Sequence, residues 1–270
     1  MKFTLGVDIG GSTTKIVCID KGKNIKDTLQ VRAGDQKTSL YGAIGHILYK
    51  NSLSTEDIEK IILTGVGATS VEGDIYGIKT ERVQEFEAIG MGGMKLSGKE
   101  NILVMSMGTG TAFVRADKQS IRHIGGSGVG GGTLLGLSAK MLDTTDIDYI
   151  VSLAEDGDLG KVDLLIGDIV NTKIPSLPDH ATAANFGRLR ANAGKEDLSK
   201  GLMNLIFQTA GMLATFSCLD TDIKDVVVTG TLASFPQAKE ILNEVGALHN
   251  LNFIIPENAI FATAIGASLL

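Results

Sequence analysis

No Gly-Lys-Ser or Gly-Lys-Thr triplet occurs anywhere in the 270 residues, which excludes a Walker-type phosphate loop. Cysteine is scarce too. Cys18 lies inside an apolar run and Cys218 far from it, so neither a disulfide framework nor a metal knuckle follows, and buried free thiols in a reducing compartment are expected. His46, His123, His180 and His249 show no ligand spacing with each other or with the cysteines. There is no Gly-x-Ser-x-Gly elbow and no Cys/His pairing, so nucleophilic hydrolase chemistry has no support. A formal charge of −6, without clusters of Lys or Arg, excludes a nucleic-acid surface. No apolar run approaches the length that spans a membrane. The chain enters an apolar strand at once, without a signal-like stretch, and a cytoplasmic protein is expected. Tryptophan is absent and prolines number 4.

Glycine is what the chain has in quantity: 34 residues, clustered between apolar runs in the manner of turns and phosphate-approach positions. The first such cluster organises the N-terminal region. Apolar runs Phe3–Ile9 and Ile16–Ile19 flank a turn of Gly10, Gly11, Ser12 and Thr13, the pattern of a β-hairpin. Asp8 ends the first strand and Lys15 opens the second. Glycines let backbone N–H groups approach an anion, hydroxyls add donors, and a carboxylate there suits a Mg²⁺ ion beside a polyphosphate. A similar device returns at Ile102–Thr111, where an apolar strand leads into Gly108, Thr109 and Gly110 and then a return strand. Further glycine/hydroxyl turns lie at 125–133 and 229–231. Two similar lobes around a nucleotide cleft are the natural inference, in an α/β protein.

The remaining pattern supports this. Leu40, Ala43, Ile44, Ile47 and Leu48 predict a helix over 37–50, and strands are predicted at 24–31, 60–64, 101–107, 112–116, 120–124, 225–228 and 251–255. Acids Glu85 and Glu87 open a helix soon after a short strand at 81–83, and suit its N-terminal dipole. A carboxylate there is also placed to accept a proton from a substrate hydroxyl during phosphoryl transfer. Glycines at 90, 92 and 93 either weaken that helix or let another backbone pack against it. Helices are also predicted over 133–142, 143–156, 182–191, 197–219, from Pro236, and over 260–269, with a stiff loop at 174–178.

Gly126, Gly128 and Gly131 spell G-x-G-x-x-G, but the run falls mid-chain and the next twenty residues read as helix. The dinucleotide motif needs a strand ending in an acid there, so that reading fails. The amides of the run remain available to phosphates at the start of the 133–142 helix. The acidic stretch 143–158 does not place the glycine and glutamate of a calcium loop, and reads as a solvated helical face.

Asp8-Ile-Gly-Gly-Ser-Thr-Thr-Lys, Met107-Gly-Thr-Gly-Thr and Val228-Thr-Gly-Thr resemble the two phosphate motifs and the adenosine motif of the acetate/sugar kinase, heat-shock chaperone and actin superfamily. Gln84-Glu-Phe-Glu-Ala, Ile124-Gly-Gly-Ser-Gly-Val-Gly-Gly-Gly-Thr, Leu134-Leu-Gly-Leu, Gly157-Asp…Val162-Asp-Leu and Ala181-Thr-Ala-Ala-Asn-Phe-Gly are similar to segments of the type II pantothenate kinases, in order through nearly the whole chain. The resemblance implies a two-lobed actin-like (ribonuclease H-like) α/β fold with an interlobe ATP cleft. It divides the chain into lobes at 1–100 and 101–270, the second with the dimerisation helices. It implies a homodimer that phosphorylates the 4′-hydroxyl of pantothenate with MgATP, the first step toward coenzyme A, with no nucleic-acid or membrane partner.

By the same resemblance Glu85 is the general base. Asp8, Gly10, Gly11, Ser12, Thr13 and Lys15 form the first phosphate loop, with Asp8 serving Mg²⁺ through water. Gly108, Thr109 and Gly110 form the second, with Thr109 also near the substrate. Gly131, Gly132, Thr133, Leu134 and Leu135 contact nucleotide, Gly230 and Thr231 lie by the adenosine, and His123 and Gly125 face the substrate. His123 is a departure: the family usually has there an Arg that pairs with the pantothenate carboxylate. Arg122 precedes it, but strand neighbours point to opposite faces, so Arg122 replaces it only through a register change. Two rivals stay open. One is a related kinase for a pantetheine-like or amino-sugar substrate. The other is a non-catalytic nucleotide-binding regulator or ATPase activator, a class that usually carries cysteines for an iron–sulfur cluster at its dimer interface.

Overall fold

The first strands alternate as the sequence leads one to expect, and their two faces meet different partners. A computed structural model describes residues 2–32, 34–170, 172, 174–175 and 177–270; Ser176, in the expected stiff loop, lies outside these. The chain begins with β1 (Phe3–Ile9), β2 (Thr13–Asp20) and β3 (Ile25–Arg32), then α1 (Gln36–Lys50), β4 (Ile58–Thr64), β5 (Thr80–Arg82) and α2 (Glu85–Ser97). Leu5, Val7, Ile9, Ile16 and Cys18 turn toward Leu40, Ile44 and Ile47 of α1 and form the first core. Asp35 caps α1, its carboxylate accepting from the Thr38 amide at 2.8 Å.

The second half repeats the plan with larger insertions. It runs β6 (Asn101–Met107), β7 (Thr111–Asp117), β8 (Ile121–Ser127), α3 (Gly131–Met141), α4 (Ile147–Asp156), β9 (Leu164–Leu165), β10 (Thr182–Ala184), α5 (Lys195–Cys218), β11 (Asp225–Thr229), α6 (Pro236–His249), β12 (Asn252–Ile254) and α7 (Ala262–Leu269). The first sheet has the order β3-β2-β1-β4-β5 and the second β8-β7-β6-β11-β12. In each, an antiparallel meander is extended by two parallel strands from its first member. The second core gathers Leu103, Met105, Ile206, Phe207, Val226 and Val228 beneath α5 and α6.

Between the two sheets lie α2 and α7. Although last in the chain, α7 packs on the first sheet, its Ala264 and Ile265 against Val17 and Ile19. Helix α2 packs on the second, its Ile89 against Ile102, Val104 and Val114. Glycines let these layers close. A Cβ on Gly6 would lie 2.0 Å from the Ala264 carbonyl oxygen, one on Gly92 1.9 Å from that of Ala262, and one on Gly266 1.8 Å from that of Ala88. The glycines of α2 thus serve close packing.

One expected helix is a correction. Residues 182–191 form the short strand β10 followed by turns, with Phe186 at φ +55°. The cause is Asp163, which is fully buried. Its carboxylate accepts from Thr182 Oγ1 (3.0 Å), the Phe186 amide (2.8 Å), Asn185 Nδ2 (3.4 Å) and Asn204 Nδ2 on α5 (2.8 Å). Leaving that carboxylate unpaired would cost more than the local helix gains. Residues 161–170, without a clear pattern, are 3₁₀ turns around β9. No helix among the described residues is long and apolar enough to cross a membrane.

Candidate active site

Register places the first charged pair. In the β1–β2 hairpin Asp8 lies opposite Lys15, and the Gly10 amide closes the turn on the Thr13 carbonyl at 3.0 Å. Gln36, at the start of α1, reaches the Gly10 carbonyl through Nε2 at 3.4 Å, steadying the loop from behind. Asp8 and Lys15 point away from α1, into the space between the sheets, and are 9% and 6% exposed. Burial pushes the Asp8 carboxyl up to about 6; the Lys15 ammonium pulls it down, and the Glu85 carboxylate adds to the rise. Glu85 is raised by its own burial and lowered by Lys15. A hairpin pair and Glu85, distant in the chain, therefore share one electrostatic site.

Glu85 is the first residue of α2, after Gln84 in extended conformation. Its location follows from β5: the Val83 amide bonds the Leu63 carbonyl at 3.0 Å and Thr64 Oγ1 bonds the Val83 carbonyl at 3.2 Å, so the entry to α2 is tied to the end of β4. The glycine turns at 10–13 and 108–110 meet across the lobes, where Ser12 Oγ lies 3.5 Å from Thr109 Oγ1.

The long glycine run holds the second loop. Gly131 N donates to the Gly108 carbonyl at 2.9 Å, Gly132 N to the Thr109 carbonyl at 2.8 Å, and Thr111 Oγ1 to the Val129 carbonyl at 2.8 Å. Thr133 Oγ1 bonds the Gly128 carbonyl at 2.9 Å. A Cβ on Gly110 would lie 2.8 Å from the Ser127 carbonyl oxygen and one on Gly130 2.8 Å from the Gly110 carbon, so these loops interleave only as glycine. Of the amides expected to turn to phosphates, those of Gly131 and Gly132 are engaged within the protein. Leu134 is a core side chain, fully buried, and Leu135 is half-buried. At the end of β11, Gly230 has φ +88° and its amide bonds the Ala259 carbonyl at 3.0 Å; Thr231 opens the 3₁₀ turn that follows.

His123 stacks on Phe86, the residue after Glu85, with ring centroids 3.8 Å apart and planes 7° from parallel. It therefore lies on the α2 side of β8, next to the candidate base. Arg122 does not replace it. It pairs across the sheet with Arg115, whose guanidinium bonds the Ser217 carbonyl at the end of α5. The register of β8 does shift, but at Ile124, so Gly125 follows the irregularity while Arg122 stays on the far face.

Phe86, Gln36 and Gly65 border the candidate site, against His123, Gly10 and Asp8, and sequence reasoning missed them. For Gly65 a signal was present: Leu63-Thr64-Gly65 repeats the Val228-Thr229-Gly230 step. Nothing local marks Phe86 or Gln36.

No group of three or more His, Cys, Asp or Glu among the described residues forms a metal cage. Asp8, a buried carboxylate beside the glycine turn at 10–13, suits the sparser pattern of Mg²⁺, which takes one or two carboxylates and completes its shell with phosphate and water.

Residues 94–244 match the model of the Fumble family. Over 280 aligned positions, covering all of this chain and 98% of its counterpart, the chain is 25% identical to the type II pantothenate kinase of Bacillus cereus. Its fold is similar to an activator of the 2-hydroxyisocaproyl-CoA dehydratase from Clostridium difficile with bound ADPNP, at TM-score 0.68 and 18% identity over 99% of this chain and 93% of that one. It is also similar to a ROK family glucokinase from Streptomyces griseus in complex with glucose and AMPPNP, at TM-score 0.62 and 12% identity over 98% of each. These likenesses establish the two-lobed actin-like fold.

Proposed function

The chain belongs to the Fumble family, and from that premise we propose that it transfers the γ-phosphoryl group of ATP to the 4′-hydroxyl of pantothenate. The observation that carries the reading is the convergence of Asp8, Lys15 and Glu85 beside the contact of Ser12 with Thr109. A base for an alcohol must be held near the hydroxyl with its carboxylate accessible to a proton at working pH, and burial raises Glu85 toward that range. Phosphoryl transfer asks little covalent chemistry of a protein and much positioning of charge. Lys15 faces the phosphates from β2, and the loops at 10–13 and 108–110 hold them from the two lobes. Asp8 is the residue that would hold Mg²⁺, through water; when bound, that ion neutralises phosphate charge. Glu85 orients the hydroxyl and accepts its proton. Thr109, His123 and Gly125 line the substrate side, and Gly230 and Thr231 the adenosine side.

The homologous B. cereus enzyme, matched end to end, supports pantothenate as acceptor. We assign the protein as a homodimer that works in the cytoplasm, its lobes divided near residue 100 except that α7 returns to the first sheet. The activator reading has less support: Cys18 lies in the first core and Cys218 in the second, both buried.

The test is an ATP-consumption assay across pantothenate, pantetheine and several amino sugars, with the product identified by mass. Pantothenate-dependent formation of a phosphomonoester is expected. ATP consumption with an amino sugar but not with pantothenate would move the assignment to the related-kinase reading, and none with any acceptor would remove the kinase reading.

A further inference from the structure

Gly65 follows β4 at φ +87° and ψ 166°, a conformation that glycine adopts without strain. A Cβ on it would lie 2.6 Å from Asp8 Oδ1 and 2.7 Å from the Ile9 carbonyl oxygen. Its counterpart in the other lobe, Gly230, has nearly the same backbone, φ +88° and ψ 178°. There the nearest atoms to a Cβ would be the backbone of Met107, at 2.5 Å from the carbonyl oxygen. The same turn thus presses on a strand end in both lobes, and in the first lobe it also borders a carboxylate.

We propose that Gly65 is a positioning residue for Asp8. The bare Cα leaves the carboxylate its place at the phosphate loop. The Thr64–Val83 and Val83–Leu63 hydrogen bonds on the same strand end lead to Glu85, so one short segment sets the spacing of both acids. The inference rests on the reading of Asp8 as the residue that serves Mg²⁺ and ATP.

The experiment measures ATP binding to the full-length protein by calorimetry as Mg²⁺ is titrated. Gly65→Ala is expected to raise the Mg²⁺ concentration at half-maximal effect about tenfold or more, the usual scale for a residue that orients a metal-serving group, with Mg²⁺-free ATP binding unchanged. Gly73→Ala is the control. Gly73 also has φ +70°, but nothing lies within 4 Å of its Cβ position, so it carries the strain without the collision and should leave the midpoint in place. Gly65→Asn meets the same strain and the same collision with a larger side chain, so it should shift the midpoint at least as far as Gly65→Ala.

A wild-type midpoint in either Gly65 variant, or an equal shift in Gly73→Ala, overturns the proposal. If neither Gly65 variant folds, each is remade in an Asp8→Ala background: recovery of folding supports contact with Asp8, and continued loss assigns the obstacle to the Ile9 backbone and overturns it. Asp8→Asn separates the two claims. An unchanged midpoint there means that the reading of Asp8 has failed; a shift there with none in Gly65→Ala means that the positioning role has.

Discussion

Asp8 and Ser106 occupy the same place in two sheets of the same order. Each lies one residue before the end of the first strand, and each faces the first part of the return strand, Asp8 opposite Lys15 and Ser106 opposite Ala112. Both lobes then turn through glycine, and both end a parallel strand in Thr-Gly with a left-handed glycine. The backbone device is therefore duplicated and its charge is not. The first lobe buries an acid and a base at the loop. The second has half-buried neutral residues there, Ser106 and Ala112, and secures its loop with hydrogen bonds from the glycine run. Repetition supplies the geometry of a cleft, and two side-chain differences at matched positions make one wall of it charged.

The largest effect expected from breaking this asymmetry is at Glu85, carried on the helix between the lobes. Glu85→Ala should lower kcat by about 10³-fold while ATP binding persists, as checked by steady-state kinetics and calorimetry. Unchanged turnover would remove Glu85 from the mechanism.

Asp8→Asn comes next, lowering turnover by about 10²-fold or more. It should also stabilise the protein. Asp8 keeps its proton up to about pH 6 in the fold, against an ordinary value of 3.8. Between those values the folded state binds more protons than the unfolded state, so its contribution to stability falls as pH rises, and the deficit is complete above about 6. Two pH units correspond to on the order of 3 kcal/mol. Denaturant unfolding should show Asp8→Asn more stable by up to that amount at pH 8 and equal to wild type near pH 4. The matched change Ser106→Asn should show no such pH-dependent gain.

Third is the packing between the lobes. Gly92→Ala places a methyl 1.9 Å from a backbone oxygen, and should cost about 3 kcal/mol. Gly42→Ala, in α1 with nothing within 4 Å, should gain about 0.5–1 kcal/mol. Thermal unfolding compares them, and equal effects would mean that α2 and α7 do not clamp the sheets.

The smallest expected effect is at His123. Restoring a bidentate donor with His123→Arg should lower KM for pantothenate by up to about tenfold with kcat little changed, since one charge-assisted pair is worth about 1.5–3 kcal/mol before the loss of the Phe86 stack. A rise in KM would show that the stack with Phe86 contributes more than the charge.

Much of this was legible in one dimension. Alternation in Phe3–Ile9 carries its own face assignment, the continuous apolar run Ile102–Met105 marks a buried strand, and the turns at 10–13 and 108–110 announce themselves by composition. The 24-residue α5 and the Pro-started α6 are equally plain. Residues 182–191 were not, because their local pattern is overruled by a carboxylate nineteen positions away at Asp163, bonded to Thr182. Nor was the engagement of Gly131 and Gly132, whose amides are open in sequence and closed by carbonyls of another loop in space.

The chain's order alone was enough for the duplicated strand–turn units and the two lobes, since periodicity and turn chemistry are local properties; Glu85 was marked as a candidate base by family resemblance. Which residues share a site required the folded chain. Burial and the charges of Lys15 and Glu85 set the proton affinity of Asp8, Phe86 fixes the plane of His123, and Gly65 borders Asp8. Desolvation, Coulomb interaction and steric contact depend on distance in space, and sequence separation does not encode it.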